Sequence, residues 1–493
     1  MKRYPIIIFL MLLSTTFYAQ EFVLGLEFSK DKYEKVTETV PLITRSITSV
    51  PRSYSIKAYS PTPGNQGRQP SCVGWASGYG ARTIANAIKN GWRNNTSKIN
   101  QNTFSPSFVY NLIKFKGDNN CKRGSYIADA MKLLNQFGVL ELKDFSYDQT
   151  NCVKNPSSYG FQKAKNNTIL TYERLAKWDN PYNLVGKVKK ALANKNPVVI
   201  GMQVSSTFFK AKGAWNGVHT SKPGGHAMVV VGYDDDKYGG AFELLNSWGT
   251  NWGNNGYIWV RYADFKKNTK TAYVLIDKTA KPNKPKVIVS PDVDDNDDVV
   301  VTNNSNTLAG ELTLKLSNGQ NMTPILAKGA TRNFNIVKAP ETTYRIAKSY
   351  GSGTQFRIYL KSSQKGYVYL IGYGSNDKSV SKLYPFENFS DYFNYTNSEI
   401  ALPNEDYFIE FDEKPGRDVL CVLYSKEKLD INKIVSSAKY GSGNFVSRVK
   451  KALQNKIYKG SDIKFDNNKI AFATKTSNSN AKVVPIFIEM NHQ

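Results

Sequence analysis

A chain of 493 residues is too long for one ordinary domain, and its 40% hydrophobic and 13% aromatic residues exclude wholesale disorder. The formal net charge of +26 favours contact with anionic surfaces or acidic substrates. No basic block interleaved with aromatic residues occurs, so no nucleic-acid partner is expected, and we assign most of the charge to solvated faces.

The N-terminus has the pattern of a secretory signal peptide, predicted over residues 1–19. Lys2 and Arg3 precede an apolar run at residues 6–13 that is too short to span a bilayer. No later segment has a transmembrane pattern, so the protein is expected to be secreted or periplasmic, with no membrane span. Residues 20–50 are predicted as a polar extension with little periodicity outside the apolar stretch 22–28.

Cys72 stands where a loop is predicted to become a helix. It follows Pro70 and Ser71, and apolar residues recur after it at helical spacing as far as Gly91, the predicted stop. The positive end of a helix dipole favours a thiolate over a thiol. A thiolate also needs a base and an oxyanion donor before it can perform acyl transfer, so the rest of the chain must supply both.

Helices are predicted next and strands after them. Ser105 and Pro106 open a helix that extends to about residue 113, and Gly138 ends another that begins at residue 127. A further helix is expected at 184–193, followed by strands at 198–204, 227–233, 241–245 and 256–260. This order predicts an α+β fold in which a helical lobe and an antiparallel sheet form a cleft.

The second half of the chain differs in composition, because all seven tryptophans lie before residue 260. A linker is predicted at 279–305, and its acidic run 292–298 lacks the spacing of a calcium loop, so a solvated linker is favoured over a metal site. A β-rich accessory domain is predicted over 306–493. Its short alternating segments lie at 311–316, 356–360, 367–371, 407–411 and 419–424, with one amphipathic helix at 445–453.

The three histidines are His219, His226 and His492. His226 begins an apolar strand and could reach the edge of a cleft, and the amide oxygen of Asn246, at the end of another strand, could accept its ring N–H. Each residue alone is more often structural. In the order cysteine, histidine, asparagine they form a set of nucleophile, base and orienting group.

The pattern resembles the papain-like cysteine peptidases over about residues 51–276, and a papain-like domain is assigned to 51–278. The resemblance implies a helical lobe plus an antiparallel, β-barrel-like lobe, hydrolysis of a protein or peptide substrate, and no cofactor or metal. It is carried by Gln66-Gly67, Ser71-Cys72, Trp75-Ala76, Gly225-His226-Ala227, Val231-Gly-Tyr233, Asn246-Ser-Trp-Gly-Thr-Asn-Trp-Gly253 and Gly256-Tyr257.

The resemblance also implies a role for each matching residue. Cys72 would be the nucleophile, and His226 would be the general base and later the acid. Asn246 would orient the imidazole, and Trp248 would shield their hydrogen bond. Gln66 would donate its side-chain amide to the oxyanion, beside the main-chain N–H of Cys72.

The chain departs from the family at two sites near the nucleophile. The family tryptophan usually follows the cysteine directly, whereas Val73 and Gly74 intervene here and displace Trp75. The segment 121–124, Cys-Lys-Arg-Gly, resembles the family's substrate-binding Cys-x-Gly-Gly, so Arg123 and Gly124 are candidate substrate-binding residues. Arg123 is expected to narrow the cleft or to favour acidic substrate groups.

Export permits a disulfide, and the chain has four cysteines, Cys72, Cys121, Cys152 and Cys421. If Cys72 stays reduced for chemistry, Cys121 and Cys152 are the favoured pair, although sequence alone does not set the connectivity. Both resemble family half-cystines whose usual partners are absent, which leaves a bond between them. The 30 or so residues before residue 51 are too few for the family's folded inhibitory propeptide.

Three functions remain open at this point. The first is an exported papain-like cysteine endopeptidase, in which the C-terminal half, resembling a bacterial β-rich domain of unknown function, is a structural or targeting appendage. The second is a catalytically weak papain-fold protein that binds peptides or cell-surface polymers. The third is a transglutaminase-like acyl transferase. The intact set Cys72, His226, Asn246 and Gln66 argues against the second, and the Asn-Ser-Trp-Gly block disfavours the third.

Overall fold

The computed structural model describes residues 22–278, 307–327, 343–386, 388–475 and 480–493. The predicted signal peptide, the linker and its acidic run lie outside these ranges. Within them, no helix combines the length and the apolar character needed to cross a membrane.

The helices of the described ranges lie mostly in the first half of the chain. A π-helical stretch, Trp75–Arg82, joins α3 to α4. The α-helices are α1 (Lys30–Glu34), α2 (Thr44–Thr48), α3 (Cys72–Gly74), α4 (Thr83–Lys89), α5 (Thr96–Gln101), α6 (Pro106–Ile113), α7 (Ile127–Gln136), α8 (Ser158–Ala164), α9 (Leu184–Ala193), α10 (Ser206–Phe209), α11 (Tyr262–Asn268), α12 (Ile431–Tyr440) and α13 (Phe445–Leu453).

The residues predicted to begin and end two helices lie at those helix ends in the structure. Ser105 accepts a hydrogen bond from the Phe108 N–H at 3.0 Å and so caps α6, while Gly138 adopts a φ of +76° just after α7. The predicted bounds 184–193 and 445–453 are those of α9 and α13. Helix α12 was not predicted, because its apolar residues are few and lie among lysine, asparagine and serine.

The strands form three sheets. The first half contributes β1 (Ser53–Ser55), β2 (Thr171–Arg174), β3 (Val198–Val204), β4 (Ala214–Trp215), β5 (Gly224–Asp234), β6 (Ala241–Leu245), β7 (Tyr257–Arg261) and β8 (Thr269–Ile276). The second half contributes β9 (Ala309–Leu316), β10 (Pro324–Leu326), β11 (Tyr344–Ile346), β12 (Gln355–Ser362), β13 (Gly366–Tyr373), β14 (Val380–Tyr384), β15 (Tyr392–Phe393), β16 (Ser398–Leu402), β17 (Ile409–Glu410), β18 (Gly416–Ser425), β19 (Ile463–Phe465), β20 (Ile470–Thr474) and β21 (Val483–His492).

The first sheet has the order β2-β8-β3-β5-β6-β7-β4, with β1 paired to β5. Its pairs are antiparallel except for β4 with β7. The apolar faces of α4, α6, α7 and α9 share one hydrophobic core with this sheet. Helices therefore come first and an antiparallel sheet second, which confirms the predicted α+β class.

The C-terminal half forms a β-sandwich with two helices on one side. Its sheets have the orders β10-β11-β21-β18-β13-β14 and β16-β12-β9-β20-β19. Alternate residues along a strand face opposite sides of a sheet, so Leu370 points into the core between the sheets while Ile371 packs against α12 and α13. The predicted β-rich character of this half is confirmed.

The N-terminal extension packs on both halves. Leu26, Tyr33 and Val36 belong to the core of the first half, whereas Leu42 and Ile47 belong to the core of the C-terminal β-sandwich. The extension is thus built into the fold of the two halves.

Candidate active site

Cys72 is the first residue of α3 and is fully buried. Its helix packs closely on α6, and the close approach requires glycine at position 74. A Cβ there would lie 2.5 Å from the carbonyl oxygen of Pro106, which is too close for any side chain. The helical run continues through the π-helical stretch to Lys89, and Gly91 adopts a φ of +69° just beyond it. The predicted placement of the thiol at a helix start is confirmed.

His226 on β5 and Asn246 after β6 meet across neighbouring antiparallel strands. Nε2 of His226 lies 2.7 Å from Oδ1 of Asn246, and the same oxygen accepts the N–H of Ser247 at 2.8 Å. Since Oδ1 can only accept, Nε2 of His226 must carry the hydrogen. The other ring nitrogen, Nδ1, is then left with a lone pair, as a general base requires.

Trp248 covers this hydrogen bond. Its ring stacks on the His226 ring with a centroid distance of 4.5 Å and an interplanar angle of 26°. Phe208 packs edge-on against Trp248 at 5.7 Å. Both aromatic residues are buried, so water has no access to the His226–Asn246 contact from this side.

The sulfur of Cys72 lies against the main chain of Ala227, the residue next to His226, and of Gly25. Burial raises the pKa of the Cys72 thiol to about 11, and the main-chain groups of Ala227 and Gly25 offset only part of this shift. Burial also lowers the pKa of His226 to about 4, and the hydrogen bond that its ring N–H donates to Asn246 offsets only part of this shift. In this state burial therefore favours the neutral thiol and the neutral imidazole over the ion pair.

Gln66 is fully buried, and its amide is held from both ends. Its Oε1 accepts the hydroxyl of Ser247 at 2.8 Å, so the amide nitrogen is turned the other way. That nitrogen donates to the carbonyl oxygens of Val23 at 2.9 Å and Gln69 at 3.0 Å. Ser247 was not singled out from the sequence, although it lies within the Asn-Ser-Trp-Gly block.

Residues 22–28, the cleft segment, occupy the space beside Cys72 and His226. Leu26 donates its N–H to the carbonyl of Gly225 at 3.1 Å. Ser125 donates to the carbonyl of Gly25 at 2.9 Å and accepts from the N–H of Glu27 at 3.0 Å. These few residues therefore lie in the cleft, held by main-chain hydrogen bonds to Ser125 and Gly225.

The fit between the cleft segment and its surroundings depends on two glycines. A Cβ at Gly25 would collide with the carbonyl of Pro70, and a Cβ at Gly124 would lie 2.5 Å from the carbonyl oxygen of Gly25. At the start of the segment, the ring of Phe22 lies 4.6 Å from that of Trp248. The apolar stretch 22–28 was visible in the sequence, but nothing local indicated what it contacts.

The remaining predicted site residues border this region. Gly124 is buried beneath the cleft segment. Arg123 is exposed, and its guanidinium lies over the ring of Phe115 at 4.0 Å. The displaced Trp75 is buried between Tyr79 and Tyr147, with ring centroids 4.7 and 4.9 Å away.

Cys121 and Cys152 form a disulfide, whereas Cys72 and Cys421 are free and buried.

The other two histidines lie apart from the site. His219 contacts Asn268 through Nε2 at 2.8 Å, and His492 contacts Ser352 at 2.9 Å within the C-terminal half.

Comparisons with known proteins match a segment of each half. Residues 65–275 match the family model of papain family cysteine proteases, and residues 349–428 match that of a domain of unknown function (DUF4384). The predicted resemblances are thereby confirmed for these two segments.

Individual relatives match the first half only in part. An uncharacterized peptidase C1-like protein of Acanthamoeba polyphaga mimivirus is 28% identical over 197 residues, covering 37% of this chain and 62% of that protein. Cathepsin K of Mus musculus is 26% identical over 210 residues, covering 41% of this chain and 57% of cathepsin K. This chain therefore spans less than two thirds of the length of either relative. Among solved structures, xylellain, a cysteine protease from Xylella fastidiosa, is 24% identical with a TM-score of 0.43, covering 52% of this chain and 96% of xylellain.

Proposed function

We propose that this chain is a cysteine endopeptidase that hydrolyses peptide bonds through Cys72. The observation that carries the proposal is the His226 ring, bonded through Nε2 to Asn246 at 2.7 Å, while its Nδ1 has no hydrogen-bond partner among the described residues. The Cys72 sulfur lies against the residue that follows His226, so Nδ1 is the nitrogen suited to take the thiol proton. The papain-family match over residues 65–275 supports the same chemistry.

In the first half of the reaction, the thiol proton of Cys72 passes to Nδ1 of His226 and the thiolate attacks the carbonyl carbon of the substrate. The carbonyl electron pair moves to oxygen, where Nε2 of Gln66 and the main-chain N–H of Cys72 donate hydrogen bonds to the oxyanion. The C–N bond then breaks. The amine leaves with the proton held by His226, and an acyl thioester remains on Cys72.

In the second half, a water molecule gives a proton to Nδ1 of His226 and its oxygen attacks the thioester carbon. The C–S bond breaks, the carboxylic acid product leaves, and the Cys72 sulfur recovers its proton. Throughout, Asn246 accepts the Nε2–H and keeps the ring in the orientation that presents Nδ1 to the sulfur.

The path of the cleft segment favours cleavage within a chain rather than at its end. Phe22 lies against Trp248 at one end of the segment, and Phe28 leads into α1 at the other. On the Phe28 side the polypeptide continues beyond the cleft into α1, so the cleft is open on this side to a longer chain, as an endopeptidase requires. Before a substrate can bind, the cleft segment must leave.

We also propose that the protein acts after export. The signal-peptide pattern of residues 1–19 supports this, and so does the Cys121–Cys152 disulfide, a bond that persists mainly in oxidising compartments.

The experiment uses a variant in which the cleft is opened. Leu26→Asp places a charge where an apolar side chain is buried, so the cleft segment is expected to detach. The variant is treated with an epoxide that alkylates papain-like thiolates, and the adduct is mapped. We expect a label on Cys72 that disappears in Leu26→Asp/His226→Ala, together with hydrolysis of a denatured protein substrate that disappears in Leu26→Asp/Cys72→Ser.

Glu27→Gln is the matched control, because Glu27 is an exposed residue of the same segment. It is expected to leave the cleft closed. If folded Leu26→Asp protein, with Cys72 accessible to iodoacetamide, neither takes up the epoxide nor hydrolyses the substrate, the peptide-binding alternative is favoured instead.

A further inference from the structure

We propose that the C-terminal domain controls access to the cleft. It binds, in its own hydrophobic core, the part of the chain that follows the cleft segment. The regulatory consequence rests on the proposed peptidase function. The contacts that anchor the segment do not depend on that function, because they are seen directly between residues 38–47 and the C-terminal half.

The anchor segment comprises residues 38–47, ten residues beyond the end of the cleft segment. Its apolar side chains Val40, Leu42 and Ile47 are buried in the core of the C-terminal β-sandwich, together with residues of β9, β12 and β16. These side chains are therefore part of the folded interior of the C-terminal domain.

The main chain of the anchor segment extends the edge of a sheet. Leu42 pairs with Ile400 of β16, the outer strand of its sheet, in an antiparallel bridge. The flanking bonds are Ile43 N–H to the carbonyl of Glu399 and Ala401 N–H to the carbonyl of Pro41, both at 3.2 Å. Main-chain pairing of this kind is how a sheet edge binds an extended peptide.

Side chains add polar contacts after the bridge. Glu405 accepts both the main-chain N–H and the hydroxyl of Thr44, at 2.8 and 2.7 Å. The hydroxyl of Ser46 accepts the N–H of Glu399 at 2.8 Å. Glu405 is exposed, so its loss would weaken the anchor without opening the core.

Glu38 connects both halves at the start of the anchor segment. Its carboxylate is buried and forms ion pairs with Arg174 at 2.7 Å and Lys187 at 3.4 Å in the first half of the chain, the half that contains the papain-family match and is called the papain-family half below. Its carbonyl accepts the N–H of Ser390 in the C-terminal half at 2.8 Å. The chain between the cleft and the C-terminal domain is therefore short and is fixed to both halves at Glu38.

A short connection raises the local concentration of the cleft segment at the cleft, so the segment returns soon after each detachment. Tyr33 and Val36 provide one attachment on the papain-family core, and the C-terminal domain provides the second. Weakening the second attachment is expected to increase the fraction of time for which Cys72 is accessible.

The test measures how fast iodoacetamide alkylates Cys72 in the full-length protein, with each adduct mapped to its cysteine. Leu42→Asp is expected to raise the rate by about tenfold or more, because a buried apolar contact is replaced by an unpaired charge. Glu405→Ala is expected to raise it by about fivefold, since two hydrogen bonds to Thr44 are lost. Glu410→Ala is the control, because Glu410 is an exposed glutamate of the same domain that bonds Gln355 instead.

Cys421 reports on folding within the same experiment, since it is free and buried in the C-terminal domain. Faster labelling of Cys72 with Cys421 still protected supports the proposal. Unchanged labelling of Cys72 in both anchor variants, with Cys421 protected and with Leu26→Asp labelled quickly, overturns it. Peptide hydrolysis is measured separately, so accessible but inactive Cys72 would refute the peptidase function and leave the anchoring role intact.

Discussion

The side-chain amide of Gln66 donates to the carbonyl oxygen of Val23 at 2.9 Å. The group proposed to hold the reaction's oxyanion is thus bound to a carbonyl of the protein's own chain. The hydroxyl of Ser247 donates to the other end of the amide, Oε1, at 2.8 Å, and so turns the amide nitrogen toward the cleft segment. The site is assembled and occupied at the same time.

Replacing Gln66 by alanine in the Leu26→Asp background is expected to lower kcat by about 10²–10³-fold, because one oxyanion donor is lost. KM should change little, since the donor acts on charge that develops in the transition state. Steady-state kinetics on a peptide substrate measure both. A loss confined to KM would assign Gln66 to ground-state binding.

Asn246→Ala, in the same background, is expected to lower kcat by about 10²-fold, because the His226 ring loses the acceptor that sets its tautomer and orientation. Asn268→Ala is the matched control, since Asn268 contacts the ring of His219 at 2.8 Å in a similar pair outside the site. Equal losses in the two variants would show that the effect is one of stability and not of orientation.

The pH dependence of Cys72 alkylation should differ between closed and open protein. Burial raises the pKa of Cys72 to about 11 in the closed state, so its slow alkylation should still increase with pH beyond pH 9. In Leu26→Asp, water enters and a thiolate–imidazolium pair with His226 can form, so the rate should already be high at neutral pH. Identical pH profiles would contradict this account of the closed state.

Glu173 should make the protein less stable as the pH rises. Burial raises the pKa of its carboxyl from an ordinary 4.5 to about 7, against the hydrogen bond that the hydroxyl of Ser390 donates to it. The stability contributed by the protonated form is complete below about pH 4.5 and is lost as the pH rises through about 7, amounting to about 3 kcal/mol.

Glu173→Gln should remove this dependence and raise the melting temperature at pH 8 relative to the unmodified chain. Calorimetry at pH 5 and pH 8 measures the difference. Glu427→Gln, on a partly exposed side chain, is the control and should leave the pH dependence unchanged.

Reduction of the Cys121–Cys152 bond should destabilise the papain-family half by about 3–4 kcal/mol, because the bond closes a loop with a sequence separation of 31 residues. A lower denaturation midpoint with reductant, absent in a Cys121→Ser/Cys152→Ser variant, would demonstrate it. The variant itself should melt at the lower temperature with and without reductant.

Arg123→Gly tests whether this side chain influences substrate choice. The guanidinium is exposed above the ring of Phe115, so it is free to meet an acidic substrate group. Profiling with a peptide library in the Leu26→Asp background should show a weaker preference for acidic side chains. An unchanged cleavage profile would remove Arg123 from the substrate-binding residues.

Much of the site could be predicted from the sequence, because its residues lie in local patterns that have a physical meaning. The helix after Cys72, the strand that carries His226 and the strand that ends at Asn246 are each encoded by hydrophobic periodicity and by glycine, serine or proline at their ends. The order of the three residues along the chain, together with the Asn-Ser-Trp-Gly block, carries the resemblance to papain-like cysteine peptidases that implied the chemistry. The α+β fold was predicted separately, from helices that precede strands along the chain.

Only the tertiary structure decided what occupies the cleft and what holds the occupant. Residues 22–28 pair with Ser125 and Gly225, and Leu42 pairs with Ile400, and these partners are separated from them by about 100 to more than 350 residues in the chain. No local periodicity encodes such pairings, because they depend on where distant strands place their free main-chain groups. The burial that favours the neutral forms of the Cys72 thiol and the His226 ring results from the same long-range contacts, so the sequence alone could not predict it.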